Sequence, residues 1–241
     1  MKRIFAISDL HGNLSGLCRE NVLNPDGHDA VVIAGDIAPL SYMFDLEEQD
    51  RWFETEFYAW VTQFPNIPFV MIPGNHDLRI RDDRGAIENL LPKNCHILID
   101  EEKTISGLRF YGTPWVPVIN HRWAYEGRSL VLRERFAHIP PDVDVLITHT
   151  PPFVPGHDFD VALQYGRTTH FGSIDLATAI RIKKPRYCFF GHVHSGDHTP
   201  DRIWGTRCWN VSRLNEDYRP HYDPVSIEIE ERDEEVEIRR N

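Results

Sequence analysis

The chain has 241 residues, 41% of them hydrophobic and 11% aromatic, with 26 Lys+Arg against 37 Asp+Glu for a formal net charge of −11. That length and apolar content suit one domain with a full core, and they exclude collagen-like, coiled-coil and disordered classes. The acidic balance argues against a protein that grips nucleic-acid polymers by their phosphates; a small phosphate ester stays open, because bound metal can supply local positive charge.

In chain order, short apolar runs at residues 3–7, 30–34, 69–72, 143–148 and 187–190 are predicted strands, each ending in a polar or Gly-rich loop. Between them, residues 14–21, 46–64, 83–91, 130–137 and 173–182 are predicted helices, with Asp45 a candidate cap and Pro65 beyond the second. Residues 103–105 and 108–111 flank Ser106-Gly107 as a hairpin. Alternation of this kind predicts an α/β fold with a partly parallel sheet. At the end of the chain, Val225, Ile227 and Ile229 alternate with polar residues, and Val236 and Ile238 alternate again beyond an acidic turn. A C-terminal hairpin at about 225–239, one face solvated, closes a single domain of residues 1–241. The first apolar run is cut at Ser8-Asp9, too early for a signal peptide, and no run reaches the ~20 residues of a membrane span. Together with four widely spaced cysteines (Cys18, Cys95, Cys188, Cys208) read as free thiols, this predicts a cytoplasmic protein that does not meet a membrane.

Thirteen histidines are many for an acidic chain, and their placement is more telling than their number. Asp9-Leu10-His11 follows the first strand, Gly35-Asp36 the second and Gly74-Asn75-His76-Asp77 the third. His149 follows the fourth, and Gly191-His192-Val193-His194 the fifth. In open α/β sheets the C-terminal strand ends line one crevice, so these loops are expected to converge. Carboxylates and imidazoles gathered there repel or desolvate one another unless a cation lies between them. On an extended backbone Asp9 and His11 would leave on the same side, and so would His192 and His194. Asp36, central in the series and with two oxygens, suits bridging two cations. Mixed oxygen and imidazole ligation points to a transition metal more than to magnesium.

Taken together, Asp9-x-His11, Gly35-Asp36, Gly74-Asn75-His76-Asp77, His149 and Gly191-His192-x-His194 resemble the complete signature of the calcineurin-like metallophosphoesterases. The resemblance implies a four-layer αββα sandwich of two mixed sheets flanked by helices, with a metal site at the C-terminal strand ends. By the same resemblance Asp9, His11, Asp36 and His194 would hold one ion, and Asp36, Asn75, His149 and His192 a second. The ions would be two divalent transition metals, manganese favoured over iron, zinc, nickel or cobalt. The implied reaction is phosphoester hydrolysis by a hydroxide bridging the two ions, with His76 the candidate general acid and Asp77 either orienting that imidazole or serving as a helix N-cap or an ion-pair partner of Arg79 or Arg81. A narrower likeness lies in Phe110-Tyr111-Gly112-Thr113-Pro114-Trp115-Val116-Pro117 and Ile147-Thr148-His149-Thr150-Pro151-Pro152. These are similar to the metallophosphoesterase-domain subgroup, which is associated with phosphodiesters including cyclic nucleotides. Some animal members of that subgroup carry Gly at the position of His192, so the present chain is expected to have a fully equipped site.

Loops 116–129 and 150–172 are expected to overhang the crevice and to offer Trp115, Arg122 and His157, with Trp123, Phe153 and Asp158, to substrate. No Asp-Arg-Gly follows Gly35-Asp36, which argues against the phosphoprotein phosphatase branch; Asp83-Arg84-Gly85 reads as the polar start of a helix. The leading expectation is a phosphodiesterase for small esters, with a phosphomonoesterase, a nuclease or a non-catalytic scaffold as rivals. A homodimer is compatible with the resemblance, though no residue marks an interface.

Overall fold

The computed structural model describes residues 1–42 and 44–230. One sheet contains β1 (Lys2–Ile7), β2 (Ala30–Ala34), β3 (Phe69–Ile72) and β4 (Cys95–Ile97), all parallel. The other contains β5 (Glu101–Ile105), β6 (Leu108–Thr113), β9 (Val145–Thr148), β12 (Tyr187–Phe190), β13 (Asp201–Ile203) and β14 (Thr206–Asn210). Short pairs β7 (Val116–Pro117) with β8 (Glu126–Gly127), and β10 (Val161–Gln164) with β11 (Arg167–His170), lie in the long loops. Finally β15 (Val225–Ile229) adds antiparallel to the edge of β1, Lys2 facing Ile229. The return arm expected around Val236 and Ile238 lies outside the described residues.

The period-2 pattern of the strands builds the layers. Phe5, Ile7, Val31, Ile33, Phe69 and Met71 face a core shared with Trp52, Phe53, Phe57 and Trp60. Their neighbours Ile4, Ala6, Val32, Ala34, Val70 and Ile72 face the other way, onto Phe110, Val145, Ile147, Phe189 and Trp209 of the second sheet. The far side of that sheet packs Tyr111, Leu146, Cys188 and Phe190 on Leu132, Phe136, Leu176 and Ile180. These last four come from α5 (Ser129–Ala137) and α6 (Ile174–Lys183), the helical layer outside the second sheet. Outside the first sheet lie α1 (Leu46–Trp52), a π-helical turn at Phe53–Phe57, α2 (Tyr58–Val61), α3 (Leu78–Asp82) and α4 (Arg84–Leu90). The result is helix, sheet, sheet, helix, as expected.

Asp45 caps α1 by accepting from the Glu48 amide, and Asp83 caps α4 by accepting from Ala86. The helix expected over 14–21 is instead a series of turns. Asn13 Oδ1 accepts from the Ser15 amide, and Gly16 stands at φ 77°, so the local Asx turn outcompetes helical pairing.

Candidate metal centre

Parallel pairing brings the five motifs to one edge. The ends of β1, β2 and β3 carry Asp9, Asp36 and Asn75; β9 and β12, parallel in the second sheet, carry His149 and His192 with His194. The two sheets are tied there by a parallel bridge between Ser8 and Ser212. The convergence does not come from extended backbone, as the spacing suggested. Asp9, His11, Asp36 and His192 have φ of 53°, 42°, 51° and 71°, so each sits in the left-handed region. Such conformations cost about 1 kcal/mol or more apiece for non-glycine residues and persist where surrounding structure enforces them. Two glycines are required by close approach. A Cβ on Gly74 would stand 2.1 Å from Asp36 Oδ1, and one on Gly191 would stand 2.1 Å from Asp9 Oδ2.

Ligand atoms of Asp9, His11 and His194 lie within 4.8 Å of one another, and so do those of Asp9, Asp36 and His149. Asp36 Oδ2 is 3.3 Å from His149 Nε2, 3.7 Å from His11 Nε2 and 3.8 Å from His76 Nε2. Asp9 Oδ1 is 3.3 Å from His194 Nε2. Asn75 Oδ1 is 3.1 Å from His149 Nε2, and His192 packs against the His149 ring at 5.0 Å. Two tautomers are set from behind. Nδ1 of His149 donates to the Ala34 carbonyl at 2.8 Å and that of His194 to the Asn215 carbonyl at 3.0 Å, which aims both Nε2 atoms into the cluster.

These residues fit a metal pair. Both ring nitrogens of His11 are buried without a hydrogen-bond partner, an arrangement costly for protein alone and natural for a ligand. Burial drives His11 down to about 4 and His192 down to about 3, so both present neutral lone pairs. Burial also opposes charge on His149 and His194, but Asp36 and Asp9 outweigh it and raise the two imidazoles to about 9. It likewise works against the Asp9 and Asp36 anions, yet His194 and His149 hold both carboxyls below the usual range. The anionic ligands are thus charged well below neutral pH.

The sequence profile of the calcineurin-like phosphoesterases matches residues 2–196. The chain belongs to that family. It is 28% identical over 242 residues to a UPF0046 protein of Caenorhabditis elegans, covering 94% of this chain and 80% of the relative. It is 26% identical over 261 residues to metallophosphoesterase domain-containing protein 1 of Homo sapiens, covering 94% and 71%. Among solved structures, a Thermus thermophilus protein superposes with a TM-score of 0.60 at 16% identity, covering 87% of this chain and 88% of that one. A phosphopantetheinyl hydrolase from Mycobacterium tuberculosis superposes with a TM-score of 0.56 at 16% identity, covering 93% and 95%. These two likenesses show the fold. Calcineurin-like phosphoesterases are phosphoric ester hydrolases that typically bind two metal ions, and the clustered carboxylates and imidazoles supply candidate ligands for them.

Within this calcineurin-like site, His76 packs its ring on Trp123 at 4.4 Å and edge-on to His11 at 4.9 Å. The orienting role expected of Asp77 is corrected. Its carboxylate is fully buried beneath the loops and accepts from the amides of Gly74 (2.7 Å), Ala38 (2.8 Å) and Ile37 (3.0 Å). Burial and the nearby Asp36 push it up to about 7 despite those donors. Asp77 therefore pins the loop after β2 to the loop after β3. Asp77→Ala leaves three buried amides without an acceptor and is expected to destabilise the fold by about 3 kcal/mol or more. Urea unfolding would measure it, and a loss below about 1 kcal/mol would refute the pinning role.

The expected substrate contacts are also revised. Trp115 donates its indole N–H to Asp100 at 2.9 Å and lies under the Arg135 guanidinium at 4.5 Å, so it packs the loop from below. Arg122 is exposed and stands outside the cavity lining. His157 pairs with Asp201 at 2.7 Å and stacks on Phe159, and it is not among the residues lining the cavity. Phe153 meets the edge of His170, and Asp158 receives the Asp197 amide through its carbonyl. Of the loop aromatics named from sequence, Trp123 does line the cavity, which measures about 310 Å³ over His11, Asp36, Asn75, His76, His192 and His194. Glu126 aims this loop by accepting from the amides of Asn120 and Trp123. Four further lining residues were not anticipated: Leu40, Ile119, Glu216 and Tyr218. The last two follow β14, which pairs parallel to β12 and so ends at the same edge. The signal was present in the apolar run Cys208-Trp209 before Asn210, a further strand end of the same kind. Ser212, also on that loop, donates to Asp9 Oδ2 at 2.8 Å.

Proposed function

We propose that this calcineurin-like phosphoesterase hydrolyses small monoanionic phosphodiesters, cyclic nucleotides among the candidates, and that manganese is its favoured metal. Glu216 carries the reading. Its carboxylate lines the cavity, held by the Ser195 amide at 3.0 Å, while no Lys or Arg lines it among the described residues. Beyond what the metal ions would offset, the second negative charge of a phosphomonoester would meet the Glu216 carboxylate and no lining lysine or arginine. Trp123, and Tyr218 packed edge-on to His11 at 4.9 Å, add aromatic faces that suit a base or aryl ester.

Asp9, His11, Asp36 and His194 would hold one metal ion, and Asp36, Asn75, His149 and His192 the other. When bound, the ions would supply Lewis acidity toward the phosphoryl oxygens and would activate water. His76 gives its proton to the leaving ester oxygen, which otherwise departs as a high-energy alkoxide. The Trp123 face holds that imidazole in place beside the cluster.

Glu216→Gln is expected to lower the ratio of diester to monoester kcat/KM about fivefold, the ~1 kcal/mol exchanged by unit charges several ångströms apart in a partly solvated cleft. The assay compares bis(p-nitrophenyl) phosphate with p-nitrophenyl phosphate in manganese. A wild-type preference for the monoester, or no manganese-stimulated hydrolysis of either, would overturn the proposed function.

A further inference from the structure

Next to the metal cavity lies a second cavity of about 300 Å³, lined by Ile119, Ala162, Leu163, Phe171, Val193, His192 and Glu216. Ile119, His192 and Glu216 belong to both, so the two chambers share a wall. The other residues are apolar and arise largely from the ribbon β10–β11 and its exit. This two-stranded ribbon joins neither main sheet. Ala162, Leu163 and Phe171 belong to none of the core clusters among the described residues, and Leu163 is 78% exposed. Apolar side chains withheld from the core and grouped beside a reactive cluster mark a ligand surface. The polar groups of the chamber, His192 and Glu216, stand at the boundary with the metal cavity, and the Glu216 carboxylate disfavours an anionic group crossing it. An apolar cavity of roughly half this volume holds benzene, so a ring or a short alkyl chain fits.

We infer that this chamber binds the non-leaving ester group of the substrate, and that this group is uncharged and apolar, an aryl or alkyl group. The inference rests on the phosphodiester reading above and narrows it.

The test compares p-nitrophenyl phenyl phosphate with p-nitrophenyl methyl phosphate in the manganese-loaded enzyme. The phenyl ester should have the higher kcat/KM by about tenfold or more, within the range hydrophobic pockets give for small apolar increments. Ala162→Trp, which fills the chamber, and Leu163→Asp, which charges an already exposed wall position, should each cut that ratio about fivefold or more. Calorimetric binding of methyl phenylphosphonate against methyl methylphosphonate, both monoanions, should show the same preference and the same loss. Equal ratios in wild type and both variants, in turnover and in binding, would overturn the chamber assignment even if diesters are hydrolysed well. A phenyl preference in binding that both variants lose, alongside faster hydrolysis of p-nitrophenyl phosphate than of either diester, would keep the chamber as a site for an apolar group but overturn its assignment to a non-leaving ester group together with the diester reading.

Discussion

His76→Ala is expected to slow hydrolysis of phosphodiesters with alkoxide leaving groups by about 10²–10³-fold, while p-nitrophenyl esters lose less than about tenfold. An alkoxide needs a proton as it departs, whereas an activated aryl oxide leaves as the anion unaided. The variant is clean because the backbone contribution of the residue survives: the His76 amide donates to Asp36 Oδ1 at 2.8 Å, and the side chain is not needed for that bond. Nδ1 of the same ring is buried without a hydrogen-bond partner, so its removal leaves no partner stranded there. Steady-state rates on a series of leaving groups, with metal content measured in parallel, give the slope. Equal loss across the series at unchanged metal content would remove His76 from the proton-transfer role.

Asp36→Asn is expected to reduce bound metal from two ions per chain to one or none and to lower phosphodiester hydrolysis by at least about 10²-fold. Asp36 is the hub of the cluster, its Oδ2 facing His11, His76 and His149 within 3.8 Å. An amide keeps the shape, and its oxygen can still accept from the His76 amide, so the loop between Gly35 and Ile37 should hold. What is lost is the buried negative charge that would hold the cations. Elemental analysis after gel filtration reads the stoichiometry, and two retained ions would remove Asp36 from the bridging position. Asp9 would then be the residue to test, because its ligand atoms belong to both triads.

The candidate ligands were legible because carboxylates and imidazoles recur after five separate predicted strands, a combination that single turns do not call for. Carboxylates and imidazoles have few reasons to cluster in a crevice other than a cation, and strand ends are readable from short apolar runs. Asp77 was misjudged for a related reason. A carboxylate next to a candidate acid invites pairing with it, whereas the hydrogen-bond demand came from amides of Ile37 and Ala38, about 40 positions away in sequence. Trp115 and His157 failed as substrate contacts because an aromatic or imidazole in a long loop packs wherever a partner is nearest, here Asp100, Arg135 and Asp201. Glu216 and Tyr218 left no comparable signal because the strand before them carries Arg207 within it, which breaks the apolar run.

Sequence alone determined the alternation of strands and helices, the family signature and the candidate metal-ligand types, since all three follow from local periodicity and from chemistry carried within a few residues. Tertiary structure decided which loop aromatic faces the cavity, that Glu216 lines it, and that an apolar chamber adjoins it. Those outcomes depend on which strands pair in parallel and on where the ribbon β10–β11 is set down, contacts between residues distant in the chain that leave no periodic trace in it.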